Sequence, residues 1–123
     1  MPTILAVDDS RAVRTLLRRE VKDLGVEVVE AEDGLQALER LRTSRIDLVL
    51  LDVTMPRMDG VEALRAMRET GNKTPVIMLT SESSTSVVDR VLGLGVSDYV
   101  LKPFKPDTLK EKVQQVLRSR MAG

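Results

Sequence analysis

The sequence lacks cysteine, histidine and tryptophan, and it contains a single tyrosine and a single phenylalanine. Without cysteine, the chain can form neither a disulfide nor a thiol nucleophile. Without histidine, catalysis by a serine–histidine or cysteine–histidine pair is excluded, and a structural zinc site would have none of its usual ligands. Any bound metal ion must therefore be held by oxygen atoms, which favours Mg²⁺ or Ca²⁺.

An excess of charge and a long hydrophobic run are also missing. Basic and acidic residues each number 19, whereas a dedicated nucleic-acid-binding domain is usually basic, so we expect no nucleic-acid partner. No apolar run approaches the ~20 residues that a membrane-spanning helix needs. No signal peptide is visible after Met1. We therefore expect a cytoplasmic protein that does not bind membranes.

The length and composition are those of one globular domain. The chain has 123 residues, of which 42% are hydrophobic and 31% charged, enough for a core and too apolar for a disordered chain. We expect one domain over residues 1–123. Because the chain stops soon after the last predicted helix, we expect no output domain.

Hydrophobic periodicity predicts five strand–helix units. Short apolar runs predict strands over residues 3–7, 26–30, 46–51, 75–80 and 97–101. Apolar stripes predict helices that begin near residues 10, 33, 59, 83 and 106, with caps at Ser10 and Asp59. Strict alternation of strands and helices predicts a parallel sheet with helices on both faces.

Polar residues follow four of the five predicted strands. The first strand is followed by Asp8 and Asp9, the third by Asp52, the fourth ends in Thr80, and the fifth is followed by Lys102. Each has an ordinary explanation alone, as a helix cap, a turn residue, a strand residue or a solvated lysine. Parallel strands, however, place all four ends at one edge, where open sheets bind ligands. The second strand ends in Glu30-Ala31, with nothing comparable, and suits an outer position.

These residue types favour phosphoryl chemistry. The carboxylates of Asp8, Asp9 and Asp52 would repel one another unless a cation lay between them. Mg²⁺ supplies that charge, and Lys102 adds one more positive charge. The Thr80 hydroxyl and the Lys102 ammonium suit phosphoryl oxygens. Asp52 can then attack phosphorus and form an acyl phosphate.

Four segments together resemble the receiver domain of bacterial response regulators, in order and in spacing. They are Val7-Asp8-Asp9-Ser10, Leu51-Asp52-Val53-Thr54-Met55-Pro56-Arg57-Met58-Asp59-Gly60, Leu79-Thr80-Ser81 and Lys102-Pro103-Phe104. The resemblance covers essentially the whole chain, and Asp8-Asp9-Ser10 is similar to stand-alone chemotaxis-type receivers. It implies a flavodoxin-like (βα)5 fold, a doubly wound α/β structure with five parallel strands in the order 2-1-3-4-5.

The resemblance also implies a chemistry of the site. Asp52 would accept a phosphoryl group from a phosphohistidine on a sensor histidine kinase or a histidine phosphotransfer protein, in keeping with the absence of histidine here. Asp8, Asp9, Asp52 and the backbone carbonyl of Thr54 would bind Mg²⁺. Beyond this self-catalysed phosphoryl acceptance and acyl-phosphate hydrolysis, no enzyme activity is expected.

The remaining implied roles concern switching and rate. Thr80 and Lys102 would contact the phosphoryl group, Thr80 and Tyr99 would form the switch, and the Lys102-Pro103 bond would be cis. Thr54 and Glu82 would tune the lifetime of the phosphoryl group. The face made by the fourth helix, fifth strand and fifth helix would then change its affinity for a separate partner protein.

Several alternatives stay open at this stage. The chain could instead be a phosphorelay carrier, a phosphate sink or a docking module that needs no phosphorylation. An aspartate-nucleophile phosphatase of the haloacid dehalogenase type would need an acid where Thr54 stands. A flavodoxin-like cofactor binder would need a phosphate loop where Asp8-Asp9-Ser10-Arg11 stands. The basic first helix, with Arg14 and Arg18, could either dock a kinase or form a solvated face.

Overall fold

The central feature of the fold is a five-stranded parallel sheet with the strand order β2-β1-β3-β4-β5. The computed structural model describes residues 1–81, 93–105 and 107–122. The strands are β1 (Thr3–Val7), β2 (Glu27–Ala31), β3 (Leu48–Asp52), β4 (Val76–Thr80) and β5 (Asp98–Leu101). The predicted α/β fold and its strand order are thereby confirmed.

Helices cover both faces of this sheet. They are α1 (Arg11–Val21) with a 3-10 turn after it (Lys22–Leu24), α2 (Gly34–Thr43), α3 (Gly60–Glu69) and a C-terminal helix (Thr108–Ala122). Most of the predicted fourth helix, as well as Pro106, lies outside the described residues. Within those residues, no helix is long and apolar enough to cross a membrane.

Two apolar clusters hold the helices to the sheet. Because side chains alternate along a strand, Val49 and Leu51 of β3 face the cluster that packs on α2 and α3. Leu48 and Leu50 face the cluster that packs on α1 and the C-terminal helix. All five residues of β3 are buried, as expected for a central strand covered on both sides.

Side-chain bonds explain where the elements begin. Strand β3 begins at Leu48 rather than at residue 46, and the preceding Asp47 carboxylate accepts a hydrogen bond of 2.9 Å from the Thr3 backbone N–H. Ser10 caps α1, and Asp59 caps α3 in a capping box with Glu62, so both predicted caps are confirmed. Helices α1 and α3 therefore start close to the ends of β1 and β3.

Arg68 of α3 ties together the two loops that lead into β4 and β5. Its guanidinium donates to the carbonyl oxygens of Asn72 at 3.0 Å, Thr74 at 2.9 Å, Leu94 at 3.0 Å and Gly95 at 3.1 Å. Burial lowers the pKa of Arg68, since the charged form loses solvation. One side chain thus satisfies four backbone acceptors from two loops.

We expect Arg68→Ala to lower the free energy of unfolding by about 2–3 kcal/mol, since four hydrogen bonds of modest net value are lost together. Urea denaturation would measure the loss. Arg65→Ala is the matched control, because Arg65 is exposed on the same helix, and it should change stability by less than about 0.5 kcal/mol. Equal effects of the two substitutions would show that the four carbonyl bonds contribute nothing beyond a helix surface position.

Candidate functional site

The carboxyl ends of the strands converge on a small acidic cluster. Carboxylate oxygens of Asp8, Asp9 and Asp52 all lie within 4.8 Å of one another. The Lys102 ammonium lies 2.7 Å from Asp8 Oδ2 and 3.1 Å from Asp52 Oδ1. The structure therefore brings together four of the five strand-end residues that the sequence singled out.

Thr80, the fifth of these residues, ends β4 between β3 and β5. Its neighbour Leu79 pairs with Asp52 of β3, and Thr80 itself pairs with Leu101 of β5. Its carbonyl oxygen accepts a bond of 2.8 Å from the Lys102 backbone N–H, and its side chain is buried. Thr80 is thus held at the same edge as the acidic cluster.

The three carboxylates differ in their exposure to solvent. Asp8 is 0% and Asp52 is 4% exposed, whereas Asp9 is exposed. Both oxygens of Asp8 are engaged, because Oδ1 accepts a bond of 2.9 Å from the Ser10 N–H and Oδ2 accepts the Lys102 bond. A fixed, buried carboxylate therefore forms the floor of the cluster, and Asp9 lies at its open side.

The surroundings destabilise the charged form of Asp52 and stabilise the charged form of Lys102. Burial raises the pKa of Asp52, the neighbouring charge of Asp8 raises it further, and Lys102 opposes both effects. Burial would lower the pKa of Lys102, but its bonds to Asp8 and Asp52 outweigh burial, and its pKa is raised. Lys102 therefore stays an ammonium ion and partly neutralises the cluster.

The donor set fits a hard divalent cation. Three carboxylates and one ammonium leave two negative charges, which is the charge that a divalent ion would balance. All the candidate ligands are oxygen atoms, as Mg²⁺ prefers, and the site's exposed side leaves room for waters. The cluster of Asp8, Asp9 and Asp52 can therefore hold such an ion. The backbone carbonyl of Thr54, an exposed residue in the next loop, stays a predicted ligand.

The loop between β3 and α3, residues 53–59, packs against the start of α2. Arg57, with a left-handed backbone φ of 66°, forms an ion pair with the buried Asp33. The Gly34 N–H donates to the Met58 carbonyl at 3.2 Å, and a Cβ on Gly34 would lie 2.7 Å from that oxygen. At the loop's other end, a Cβ on Gly60 would lie 2.0 Å from the Asp52 carbonyl oxygen.

Sequence reasoning missed the contacts of Glu30 and Arg14. Glu30, to which it gave no site role, accepts a bond of 2.8 Å from Arg14 Nε, and the same guanidinium donates to the Asp8 carbonyl at 2.7 Å. The sequence also predicted Asp33 only as the start of a helix. The acidic charge at these two positions was visible, but their arginine partners are 16 and 24 residues away in the chain.

The predicted switch residues lie on one side of the sheet. Tyr99 is half-buried against the apolar cluster of α2 and α3, and the alternation of β4 places Thr80 on that same side. The Lys112 ammonium lies 5.8 Å from the centre of the Tyr99 ring. The Lys102-Pro103 peptide bond is cis, as the resemblance implied. Glu82, predicted to tune the rate, lies outside the described residues.

Comparison with known proteins identifies relatives in sequence. A family model described as the response regulator receiver domain matches residues 4–114. The response regulator MprA of Mycobacterium leprae is 46% identical over 117 residues, which cover 94% of this chain and 50% of that protein. MprA of Mycobacterium avium is 44% identical over the same length. The chain therefore spans about half the length of the curated relatives it matches.

Solved structures give the same result. The chemotaxis response regulator CheY4 of Vibrio cholerae is similar at a TM-score of 0.87 and 38% identity, covering 95% of this chain and 99% of that chain. The receiver domain of the Francisella response regulator 1452 is similar at a TM-score of 0.90 and 30% identity, with 97% and 98% covered.

We expect Asp52→Asn to raise the free energy of unfolding by about 1 kcal/mol in metal-free buffer at neutral pH, because it removes a buried charge beside Asp8. Because the folded-state pKa of Asp52 is raised, its ionised carboxylate lowers the free energy of unfolding. This loss is absent below the usual pKa near 3.8 and grows as the pH rises from there through the raised value. The gain in the variant should therefore grow over that same pH window.

Urea denaturation in EDTA at several pH values would measure this gain. Asp23→Asn serves as the control, because the Asp23 side chain is 72% exposed and its substitution removes no buried charge. A gain at Asp52 that stays constant from acid to neutral pH would contradict the explanation by a buried charge.

Proposed function

Because the chain belongs to the family of response regulator receiver domains, we propose that it is a phosphorylation-dependent switch whose phosphoacceptor is Asp52. One observation carries the proposal: a buried aspartate at the end of the central strand lies among two further carboxylates and an ammonium. This arrangement combines a nucleophile, a site for a divalent cation and a fixed positive charge.

We infer that Asp52 reacts as the nucleophile. One of its carboxylate oxygens would form a bond to phosphorus while the bond from phosphorus to the donor's histidine nitrogen breaks. When bound by Asp8, Asp9 and Asp52, Mg²⁺ would neutralise charge on the phosphoryl oxygens. Lys102, 3.1 Å from Asp52 before reaction, would pair with the phosphoryl group afterwards.

The phosphoryl donor would be a sensor histidine kinase or a histidine phosphotransfer protein. This fits a chain that has no histidine of its own. Equal numbers of basic and acidic residues, 19 each, favour protein partners over nucleic acid. With Thr54 where a haloacid dehalogenase would have its acid, the chemistry would end with slow hydrolysis of the acyl phosphate, at a rate set in part by Thr54 and Glu82.

The signal would leave the site through Thr80 and Tyr99. A phosphoryl group carries roughly −1.5 to −2 charges, while bond formation to phosphorus removes the single negative charge of the Asp52 carboxylate, so the net change is about one unit. Thr80 would move toward this group and Tyr99 would fill the space. Both lie on the same side of the sheet, which gives the displacement a direct route to β5.

The partner surface would include β5 and the C-terminal helix, together with the predicted fourth helix. A groove of about 330 Å³ lies there, and Leu101 in its lining is 46% exposed. Its lining residues include Tyr99, Leu101, Pro103, Lys105, Thr108 and Lys112. Coupling between a phosphoryl site and such a surface is typically ~1–3 kcal/mol.

Phosphoryl transfer can be tested directly. Incubated with Mg²⁺ and a small-molecule phosphodonor, the chain should gain one phosphoryl group, and Asp52→Asn should gain none. Intact mass spectrometry measures the adduct, and EDTA should prevent it. Since Asp52→Asn is expected to be the more stable protein, unfolding would not account for its failure. An adduct of equal yield on both proteins would place the phosphoacceptor elsewhere.

The switch can be tested through Tyr99, the only tyrosine in a chain without tryptophan. We expect phosphorylation to change Tyr99 fluorescence in the parent chain and in Ser81→Ala, but not in Thr80→Ala. Ser81 is the matched control, because it is the neighbouring hydroxyl and is exposed. The same fluorescence change in Thr80→Ala, at equal adduct yield, would show that the signal does not pass through Thr80.

A further inference from the structure

Arg14 is an unusual helix residue because its guanidinium faces inward. Only 13% of its side chain is exposed. Nη1 donates to the Asp8 carbonyl oxygen at 2.7 Å, and Nε donates to Glu30 Oε1 at 2.8 Å. An arginine that merely covered a solvated helix face would not join the ends of two different strands.

Its acidic partner is independently fixed. Arg18 Nη2 donates to the other carboxylate oxygen of Glu30 at 2.7 Å and to the Val28 carbonyl at 3.3 Å. The bond from Arg18, followed by the bond from Arg14, holds the pKa of Glu30 below its usual value against the opposing effect of burial. Glu30 is therefore an anchored carboxylate that orients Arg14.

The carbonyl that Arg14 binds belongs to the peptide unit between Asp8 and Asp9. The Asp8 N–H is already bound to the Ala31 carbonyl at 3.2 Å, and its carboxylate is held by Ser10 and Lys102. The hydrogen bond from Arg14 adds the constraint that fixes the plane of the next peptide. That plane contains the N and Cα atoms of Asp9, so it sets the point from which the Asp9 side chain starts.

We propose that Arg14 is a positioning residue, which holds the Asp8–Asp9 peptide so that the exposed Asp9 carboxylate faces the cation site. The proposal rests on the proposed function, because it assumes that the acidic cluster binds Mg²⁺. It assigns Glu30 to the same task, as the residue that orients the guanidinium.

Charge and position predict opposite results when Arg14 is neutralised. Loss of a positive charge close to three carboxylates would by itself strengthen cation binding. Loss of a group that orients a metal ligand weakens binding, typically by on the order of tenfold or more. The sign of the change in Mg²⁺ affinity therefore separates a positioning role from a purely electrostatic one.

Arg18→Gln is the matched control for Arg14→Gln. Both substitutions remove one positive charge from the same helix and one bond to the same Glu30, but only Arg14 touches the Asp8 carbonyl. Mg²⁺ affinity would be measured on the unphosphorylated full chain by titration, following the amide signals of Asp9 and Ser10 in NMR spectra.

We expect Mg²⁺ binding to weaken about tenfold in Arg14→Gln and to stay equal or become slightly tighter in Arg18→Gln. Arg14→Lys keeps the charge and one donor direction, so it should recover part of the affinity. It also decides the question if Arg14→Gln fails to fold. Affinity in Arg14→Gln and Arg14→Lys that matches Arg18→Gln would overturn the positioning role.

Two further outcomes keep this inference distinct from the proposed function. If the parent chain binds no Mg²⁺, the metal site itself is wrong and the role of Arg14 falls with it. If the parent binds Mg²⁺ and only the Arg14 comparison fails, the switch chemistry stands without this residue. With a small-molecule phosphodonor, Arg14→Gln should also react more slowly at limiting Mg²⁺, while equal rates in Arg14→Gln and Arg18→Gln would count against the proposal.

Discussion

The buried carboxylates of Asp8 and Asp52 lie at adjacent strand ends and would repel each other, and the nearby ammonium of Lys102 offsets this repulsion. Its ammonium lies 2.7 Å from Asp8 and 3.1 Å from Asp52, although 94 residues separate it from Asp8. The strand order β2-β1-β3-β4-β5 makes this contact possible, because it places β1 beside β3 and puts only β4 between β3 and β5. A long side chain is needed to cross that distance, and a lysine has the length and the charge.

Lys102 offsets this repulsion only in part, so the charged form of Asp52 is still destabilised. Burial and Asp8 raise the pKa of Asp52 even with Lys102 nearby, so its ionised carboxylate is less stable here than in water. A divalent cation bound to Asp52 would reduce this destabilisation. Conversion of the carboxylate into an acyl phosphate would also reduce it, because the negative charge would then lie on the phosphoryl oxygens. Stability given up at such a position is a common feature of functional sites. The other four residues of β3 are apolar and are buried on both faces of the sheet.

The sheet and its acidic edge could be predicted from the sequence because local patterns indicate both the strands and the residues that follow them. Buried strands appear as apolar runs, and parallel strands align their carboxyl ends, which places Asp8, Asp9 and Asp52 at one edge. That β1 lies beside β3, so that these residues meet, was implied by the family resemblance. The start of β3 was predicted two residues early, because an apolar run does not show where backbone pairing begins. The partners of Arg14 and Arg57 were missed, since a side chain's partner depends on packing rather than on local pattern.

Those two arginines reveal a role for β2 that its sequence did not suggest. Arg14 holds the Asp8–Asp9 peptide and is anchored by Glu30, while Arg57 holds the loop after β3 and is anchored by Asp33. Both anchors come from the short segment 30–33 at the carboxyl end of β2, and the N–H of Gly34 beside it donates to the Met58 carbonyl. The strand lies at the outer position expected for one that gives no ligand to the acidic cluster. Its contribution is to hold the segment that carries Asp8 and Asp9 and the loop that follows Asp52, so the outer strand supports the acidic cluster at the centre of the edge.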